Sequence, residues 1–516
     1  MATASSAAST APLEKRAVAG SFIFRFPPNG QPPQVALFQR SAHVRTYRHC
    51  YAPISGSVEA TDGDALTTAW RELAEETGLG PGSLRLLRQG KPYSFVDRSV
   101  GREWTINPFA FALRHDRDEA AIKLDDEHDS FAWFDPADVP EDDGEASFRG
   151  VPHLLDSLRR VWFELEIRPA AAAAILDHGL RCLRDDRVSG AHQLASVALD
   201  TFTRVLSALD RDVDSARWWR SLRVVAWHLW KNGREAMGAS ILRLLLEALA
   251  VIETKLPRDG SARLPDGFVD EVLDALQVIA RQRTESGTAL QDAFVSWVSQ
   301  QQASNPETSS PIRIVTLSSS ATVASCLARA LAQGVALDVN VLESRPLFEG
   351  ASMARAIATS IRAAGNLPGA GVSVHTDASV ALAARGAHIL VLGASLIDAC
   401  GNVSNKTGSL PAVLTARYVA PAVKVVVVAE SEKVLPLDPP ATSEANDPTQ
   451  VSQVWADDDR AAAQAGDVGL SNVYFEHVPA DLVDCYVSEA GVTTRDDIAA
   501  SARDARARAD RFFSDL

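Results

Sequence analysis

The feature that most restricts how this chain can fold is a short block of charged residues between two glycines, Gly56 and Gly78. The block consists of Arg71, Glu72, Glu75 and Glu76. In an α-helix, Glu72 lies beside Glu75 and Glu76, so three carboxylates share one face. Like charges this close repel unless a cation neutralises them, and clustered oxygen ligands suit Mg²⁺ or Mn²⁺. The block therefore predicts a helix with a divalent-metal site, ended by Gly78 in the left-handed conformation.

This block resembles the signature of the Nudix hydrolases, which cleave nucleoside diphosphates linked to another moiety. The second half of the signature, residues 71–79, is intact, whereas the loop before Arg71 is one residue longer than in the family. Where the family has a glutamate, the chain has Asp62, Gly63 and Asp64. The residues expected to support the site from the loop and the helix end are Gly56, Glu59, Asp62 and Gly78.

The resemblance implies a metal-assisted attack of water on a diphosphate phosphorus. Glu72, Glu75 and Glu76 would hold Mg²⁺ or Mn²⁺ or orient the water, and Arg71 would fix a glutamate by a charge-assisted bond. Together these four residues form the predicted catalytic set, and the predicted substrate is a nucleotide-diphosphate type of small molecule. A plain alternative is a solvated amphipathic helix, because glutamate-rich helical faces are common.

Segments typical of strands surround this helix, with Pro and Gly pairs marking the connections. Aromatic residues that alternate along strands usually pack inward, and those expected in the core are Trp104, Phe109, Phe111 and Trp133. Three acidic residues farther along could provide an acid or base near the metal, although a solvated acidic loop explains them better. They are Asp126, Glu127 and Asp129.

Length and composition limit the remaining possibilities. At 516 residues the chain exceeds the roughly 250–300 residues that one core organises, so two or three domains are expected. The net charge of −15 argues against direct binding to nucleic acid or to an anionic membrane. No apolar run is long enough to predict a membrane-spanning helix. Five scattered cysteines without C-x-x-C spacing predict neither zinc nor a disulfide framework, and favour a reducing, cytoplasmic location.

The predicted fold class is a multidomain α/β protein. Its first part is a Nudix α/β/α sandwich, as the resemblance implies; a helical domain follows, because apolar residues recur at helical period. Short β-branched runs separated by helices then predict a Rossmann-like parallel sheet. The predicted boundaries are a disordered tail at 1–16, the Nudix domain at 17–149, the helical domain at 150–300, a linker at 301–311 and the Rossmann-like domain at 312–516, with a mobile insertion at 437–450.

Ligands bind beyond the carboxyl ends of the strands in such sheets. The candidate ligand-binding residues near those ends are Ser318, Arg345, Asp377, Ser395, Asn405 and Lys406. Hydroxyls and amides beside Arg345 and Lys406 suit a phosphate or sugar phosphate. Alternatively, Asn405 and Lys406 shape a turn after a strand.

Three segments carry a second resemblance: VLESRPLFEGASMARAI, VLGASLIDACGNVSNKTGS and YFEHVPADLVDCYVSEAGV. They are similar to the translation initiation factor 2B alpha, beta and delta family, which includes methylthioribose-1-phosphate and ribose-1,5-bisphosphate isomerases. The similarity covers roughly residues 158–500. The isomerases act through a cysteine and an aspartate, whereas this chain has Ser318 and Ser395, which cannot replace them in proton transfer. The expectation is a domain without isomerase activity that binds a sugar phosphate or nucleotide, or that forms a homodimer or higher oligomer.

Two main functional hypotheses follow, and a third, a sugar-phosphate isomerase that uses alternative residues, is disfavoured by Ser318 and Ser395. The first is a Nudix hydrolase whose C-terminal part binds a phosphorylated ligand or mediates assembly. The second is a non-catalytic regulatory or translation-initiation-related protein that uses both parts for binding or assembly. The intact R-E-L-A-E-E sequence favours the first hypothesis, and the lengthened loop before it favours the second.

Overall fold

The computed structural model describes residues 13–28, 30–141, 148–187, 189–259, 262–303, 311–436 and 446–516. The chain divides into two compact units, residues 1–174 with Leu516, and residues 175–515. Each unit has its own buried apolar clusters. Among the described helices, none is both long and apolar enough to cross a bilayer.

A mixed β-sheet organises the first unit. Its strands are β1 (Glu14–Arg25), β2 (Gln34–Arg40), β3 (Tyr51–Ala52), β4 (Ile54–Ser57), β5 (Leu84–Gln89), β6 (Tyr93–Asp97), β7 (Arg102–Leu113) and β8 (His128–Phe134). The central order is β3-β2-β1-β7-β5, with β4 beside β1, β6 beside β7 and β8 beside β2. The β1–β7 pair is parallel and the other pairs are antiparallel. Since β1 already begins at Glu14, the predicted tail of 1–16 extends three residues too far.

Helices pack on both faces of this sheet because side chains alternate along its strands. Helix α1 (Ala65–Thr77) places Leu73 in a cluster with Ile23 and Phe111. Helix α2 (Leu154–Val161) places Leu158 in a second cluster with Phe22. Ile23 and Phe22 are consecutive on β1, so they mark its opposite faces. The predicted α/β/α sandwich is confirmed.

The middle of the chain is helical, as predicted. Its helices are α3 (Ala170–Asp185), α4 (Ala191–Ala208), α5 (Ser215–Lys231), α6 (Gly238–Lys255) and α7 (Phe268–Ala303). Most of α6 is buried and apolar, which is typical of a helix at the centre of a helical layer. Helix α7 extends to Ala303, three residues into the predicted linker, and residues 304–310 of that linker lie outside the described residues.

A largely parallel sheet forms the rest of the second unit. Its order is β11-β10-β9-β12-β15-β17-β18, parallel except for the last pair. These strands are β9 (Ile312–Leu317), β10 (Leu337–Leu342), β11 (Gly371–His375), β12 (Ile389–Leu392), β15 (Lys424–Val428), β17 (Cys485–Ser488) and β18 (Gly491–Thr493). A smaller antiparallel sheet contains β13 (Leu396–Ile397), β14 (Val403–Lys406) and β16 (Phe475–Val478). The predicted Rossmann-like sheet is confirmed.

Helices connect these strands and cover the sheet. They are α8 (Ala321–Ala332), α9 (Glu349–Ala363), α10 (Val380–Ala383), α11 (Ser409–Val419), α12 (Thr449–Ser452), α13 (Asp457–Ala465) and α14 (Arg495–Phe513). Residues 437–445 of the predicted mobile insertion lie outside the described residues. In its last part, the Asp447 carboxylate accepts hydrogen bonds from Thr449, the residue at which α12 begins.

Candidate active site and strand-end residues

Helix α1 presents the carboxylate block as the sequence predicts. Asp64 caps its start by accepting a hydrogen bond from the Thr67 amide at 2.7 Å. Gly78 ends it with φ of 70° and donates its amide to the Ala74 carbonyl at 3.0 Å. Leu73 is fully buried, and its burial fixes the rotation of the helix and hence the positions of the neighbouring glutamates.

Glu72 and Glu76 form a carboxylate pair that is largely buried, with the Glu72 side chain 13% exposed. Glu76 is only 4% exposed, and its Oε2 atom has no hydrogen-bond partner. Burial raises the pKa of both side chains, and the proximity of Glu72 raises that of Glu76 further. The nearest histidine, His128, is buried, and its Nδ1 atom lies 3.6 Å from Glu76 Oε2. Burial lowers the pKa of His128, so it does not supply the missing positive charge at neutral pH.

Gly56 allows Glu72 to occupy this position. A Cβ atom at residue 56 would lie 1.8 Å from Glu72 Oε1 and 1.9 Å from its Cδ. The Glu72 carboxylate therefore rests directly against the backbone of β4. The predicted supporting role of Gly56 has this steric basis.

Arg71 organises the carboxylates around the lengthened loop. Its Nε and Nη2 atoms donate to the two oxygens of Asp62 at 3.0 and 2.9 Å, and this bond holds the pKa of Asp62 well below its usual range. Its Nη1 atom donates to Glu72 at 2.7 Å and to Glu75 at 3.0 Å. Asp62 also accepts from the Glu59 amide at 3.1 Å, so its carboxylate ties the loop to Arg71.

A cavity of about 490 Å³ opens beside the pair. Its lining includes Glu72, Glu76 and Glu127, whereas the Glu75 side chain is 58% exposed and lies outside that lining. The basic residues of the lining are Arg40, His43, Arg45 and Arg102, and the aromatic ones are Tyr47, Tyr93, Phe95 and Trp104. A cavity lined by carboxylates, guanidinium groups and aromatic rings suits a ligand that carries charged groups and a planar ring.

Sequence reasoning missed most of this lining. Arg40, His43 and Arg45 lie on β2 and the loop after it, and Arg102 begins β7, so all four are far from α1 in sequence. That loop carries a local signal: Tyr47 has φ of 54° and its hydroxyl donates to Asp97 at 2.8 Å, and such strained residues concentrate at functional sites. Trp104 is buried, with 8% of its surface exposed, as predicted for a core residue, and it also lines the cavity. Phe109 and Phe111 are core residues, as predicted.

Of the three downstream acidic residues, only Glu127 lines the cavity. Asp129 faces His49 at 3.7 Å instead. Across the described residues, no group of three His, Cys, Asp or Glu side chains is arranged to hold a metal ion. The pair of Glu72 and Glu76 still fits Mg²⁺, which proteins commonly bind through one or two carboxylates plus substrate phosphates and waters. Glu76 Oε2, buried without a donor, is the oxygen that a cation would satisfy.

In the second unit, Ser318, Arg345 and Asp377 belong to one hydrogen-bond network. Ser318 donates its amide to Ser344 Oγ at 2.7 Å. The Asp377 carboxylate accepts from the amides of Ser344 and Arg345 at 2.9 and 2.8 Å, so both its oxygens stabilise the loop after β10. The Arg345 guanidinium donates to the Val451 carbonyl at 2.8 Å.

The other three predicted residues have different partners. Ser395 Oγ donates to the Ser404 carbonyl at 2.8 Å, and Asn405 donates to Ser409 Oγ at 3.0 Å. Lys406 is 4% exposed and pairs with Glu349 at 2.8 Å. The structure therefore gives these polar groups partners within the chain.

The anion-binding start of α11 is likewise filled. Glu476 Oε1 accepts from the amides of Gly408 and Leu410 at 2.6 and 2.9 Å, where a helix N-terminus would otherwise attract a phosphate. Gly408 has φ of 105°, which supports the turn interpretation of this segment. A phosphorylated ligand here would have to displace the carboxylates of Glu349 or Glu476.

Comparison with known families assigns both parts of the chain. The Initiation factor 2 subunit family matches residues 233–495, just over half of the sequence. The chain belongs to this family. The NUDIX domain matches residues 15–154, so both predicted resemblances are confirmed. This member of the Initiation factor 2 subunit family thus carries a Nudix domain at its N-terminal side.

Solved structures of family members are similar to this chain. The Pyrococcus horikoshii OT3 translation initiation factor eIF-2B has 23% identity and a TM-score of 0.45, covering 63% of this chain and 97% of its own. The tetrameric eIF2B-beta2-delta2 complex from C. thermophilum has 15% identity and a TM-score of 0.46, with coverage of 65% and 96%. The eIF2B delta subunit from Chaetomium thermophilum has 16% identity and a TM-score of 0.43, with coverage of 62% and 97%. A search of curated proteins found no match.

Proposed function

We propose that the first unit is a divalent-metal-dependent hydrolase that cleaves the diphosphate of a nucleoside-diphosphate-linked substrate. The observation that carries this proposal is the buried Glu72–Glu76 pair opening into a cavity that also contains Arg40, Arg45 and Arg102. The carboxylates offer Glu76 Oε2 to a cation, and the guanidinium groups suit an anion, which would replace Glu14 as the partner of Arg102. A metal-bound diphosphate supplies both charges in one ligand.

Each group has a defined task in this proposal. Glu72 and Glu76 would hold Mg²⁺ or Mn²⁺, with Glu75 joining only if its bond to Arg71 opens. A bound divalent ion would stabilise the negative charge that develops on the phosphoryl oxygens. The arginines would bind the phosphate oxygens, for which their planar donors are suited, and the aromatic side chains would stack on the base. Glu127 would accept the proton of the attacking water.

The test is turnover of a panel of nucleoside-diphosphate derivatives with Mg²⁺ or Mn²⁺, together with metal binding by calorimetry. Glu72→Gln and Glu76→Gln should each lower kcat/KM by at least about 100-fold, because the metal contributes several kcal/mol to transition-state stabilisation. Both variants should also weaken metal binding. Glu141→Gln is the matched control, since that glutamate is exposed and pairs with Arg159. Turnover that is equal in all three variants would rule out the assignment.

The non-catalytic alternative has one observation in its favour. Arg71 Nη1 holds both Glu72 and Glu75, and this arrangement neutralises part of the block without a metal. The same panel separates the two functions: a protein that binds the derivatives but turns none of them over would be a sensor.

We also propose that the second unit assembles into a homodimer and lacks isomerase activity. Leu382 on α10 and Leu414 and Tyr418 on α11 are 58%, 51% and 87% exposed, an apolar group that association would bury. The filled strand-end positions favour assembly over phosphate binding. Sedimentation should show a dimer for the natural chain and a monomer for Tyr418→Arg, with the exposed Val278→Arg as control. A dimer that persists in Tyr418→Arg combined with Leu414→Arg would contradict this surface.

A further inference from the structure

A second charged cavity, of about 350 Å³, lies within the second unit. It is formed where β15 and β17 end, beside helices α6, α7 and α14. None of the six predicted strand-end residues lines it. It is separate from those residues, and the proposed hydrolase does not use it.

Part of its wall is internally satisfied. Arg283 on α7 binds both oxygens of Glu432 at 2.7 and 2.8 Å, and it donates to Ser196 Oγ and the His192 carbonyl at 2.7 Å each. Glu489 accepts two hydrogen bonds from Ser431. These side chains already have hydrogen-bond partners within the protein, so they offer few free donors or acceptors to a ligand.

Glu430 is different, because one of its oxygens has no partner. The side chain lines the cavity and is only 7% exposed. Its Oε1 atom accepts from Thr322 at 3.0 Å, whereas its Oε2 atom is buried without a donor. Lys433 lies in the same loop, but it donates no hydrogen bond to that oxygen. Buried carboxylate oxygens in folded proteins are nearly always hydrogen-bonded, so this atom lacks a donor that a ligand could bring.

Helix α6 carries an arginine and a glutamate that lie beside each other but form no salt bridge. Arg243 and Glu247 are four residues apart, and both line the cavity. The Arg243 Nη1 and Nη2 atoms instead donate to the carbonyl and hydroxyl of Ser501 at 3.1 and 3.2 Å. Each of these nitrogens carries two hydrogens, so Arg243 retains donors. Arg508 on α14 also lines the cavity; it contacts Asp504 at 3.1 Å and is 47% exposed.

We propose that this cavity binds a small zwitterion of the amino-acid class. Its carboxylate lies against Arg243 and Arg508, and its ammonium group donates to Glu430 Oε2 and Glu247. A ligand that is only anionic would face the two glutamates, and one that is only cationic would face the two arginines. A molecule with both signs satisfies all four groups, and the cavity volume lies at the small end of the range for ligand sites.

The test uses the full chain and each common L-amino acid as a separate probe. Thermal unfolding and calorimetry should identify at least one amino acid that raises the midpoint of unfolding by about 2 °C or more. Two analogues of that amino acid, one without the amino group and one without the carboxylate, should each bind at least about 10-fold more weakly. The first leaves the two glutamates without a partner, and the second leaves the two arginines without one.

Variants connect this binding to the cavity. Glu430→Gln keeps the size of the side chain and should weaken binding at least about 10-fold, as should Arg508→Met at a half-exposed position. Exposed residues of the neighbouring helices provide the controls, Glu285→Gln on α7 and Arg506→Met on α14, which should bind as the natural chain does. The proposal is overturned if no amino acid binds saturably, if either analogue binds equally well, or if both cavity variants retain full affinity.

Discussion

Replacing Gly56 with alanine tests the link between the backbone of β4 and the carboxylate pair. The added Cβ would lie 1.8 Å from Glu72 Oε1, whereas ordinary contact begins at about 3.4 Å, so the carboxylate would have to retreat by about 1.6 Å. Misplacing a reacting group by about 1 Å can cost about 100-fold in rate. We therefore expect kcat/KM to fall by about 100-fold, or about 2.7 kcal/mol in transition-state stabilisation.

The assay compares kcat/KM and metal affinity in Gly56→Ala and Gly82→Ala. Gly82 has open space where its Cβ would be, and neither glycine is in the left-handed region, so alanine strains neither backbone. The unfolding midpoint should differ little between the two variants. The reasoning is refuted if Gly56→Ala keeps activity and metal affinity within about two-fold of the control, or if it loses activity only because it no longer folds.

Three further predictions concern the charges and thiols of the described residues. Arg71 holds the pKa of Asp62 low. The difference in unfolding free energy between the natural chain and Asp62→Asn should therefore stay constant on acidification and become smaller only below the unfolded pKa of about 3.9. A difference that already becomes smaller near neutral pH in urea titrations would contradict this. Arg283→Met leaves the Glu432 carboxylate, 16% exposed, without its partner and should cost about 3–5 kcal/mol of unfolding free energy. Arg329→Met, whose partner Asp292 is 50% exposed, should cost less than about 1 kcal/mol; equal costs would refute the burial argument. Burial raises the pKa of Cys326 to about 12 and that of Cys485 to about 11, so iodoacetamide should label the exposed Cys182 and Cys400 first, and early labelling of Cys326 in peptide mass spectra would count against it.

Local patterns were enough to predict the helix and its carboxylate face. Asp64 and Gly78 cap α1 through bonds to residues within four positions, and the i, i+4 spacing alone places Glu72 beside Glu76. The sequence predicted that Arg71 would fix a glutamate, as it does with Glu72, and the turn before α1 adds Asp62 as a further partner. All these contacts join residues that are close in sequence, and this is why one sequence was enough to predict them.

The cavity walls could not be predicted, because they depend on pairing between distant strands. Arg40 and Tyr47 reach the site only because β2 pairs with β1, and Trp104 only because β7 lies on the other side of β1. The same alternation of apolar residues describes a core position and a cavity-lining one, so the pattern predicted the burial of Trp104 but not its place in the cavity wall. In the second unit, Lys406 and Glu349 are 57 residues apart, and no local pattern indicates that they pair.

The strand ends of the second unit and the cavity of the first unit treat buried charge in opposite ways, and this contrast guides where we expect a phosphate. At the strand ends, Glu476 fills the start of α11 and Glu349 neutralises Lys406, so a phosphate gains no unpaired donor there without first displacing a carboxylate. In the first unit, Glu76 Oε2 is buried and unpaired, and arginines line the same cavity. A divalent ion with a diphosphate would neutralise both the pair and the arginines. We therefore expect phosphate chemistry in the first unit. Ser318 and Ser395, which stand where the isomerases have a cysteine and an aspartate, agree with a second unit whose anion positions at the strand ends are already occupied.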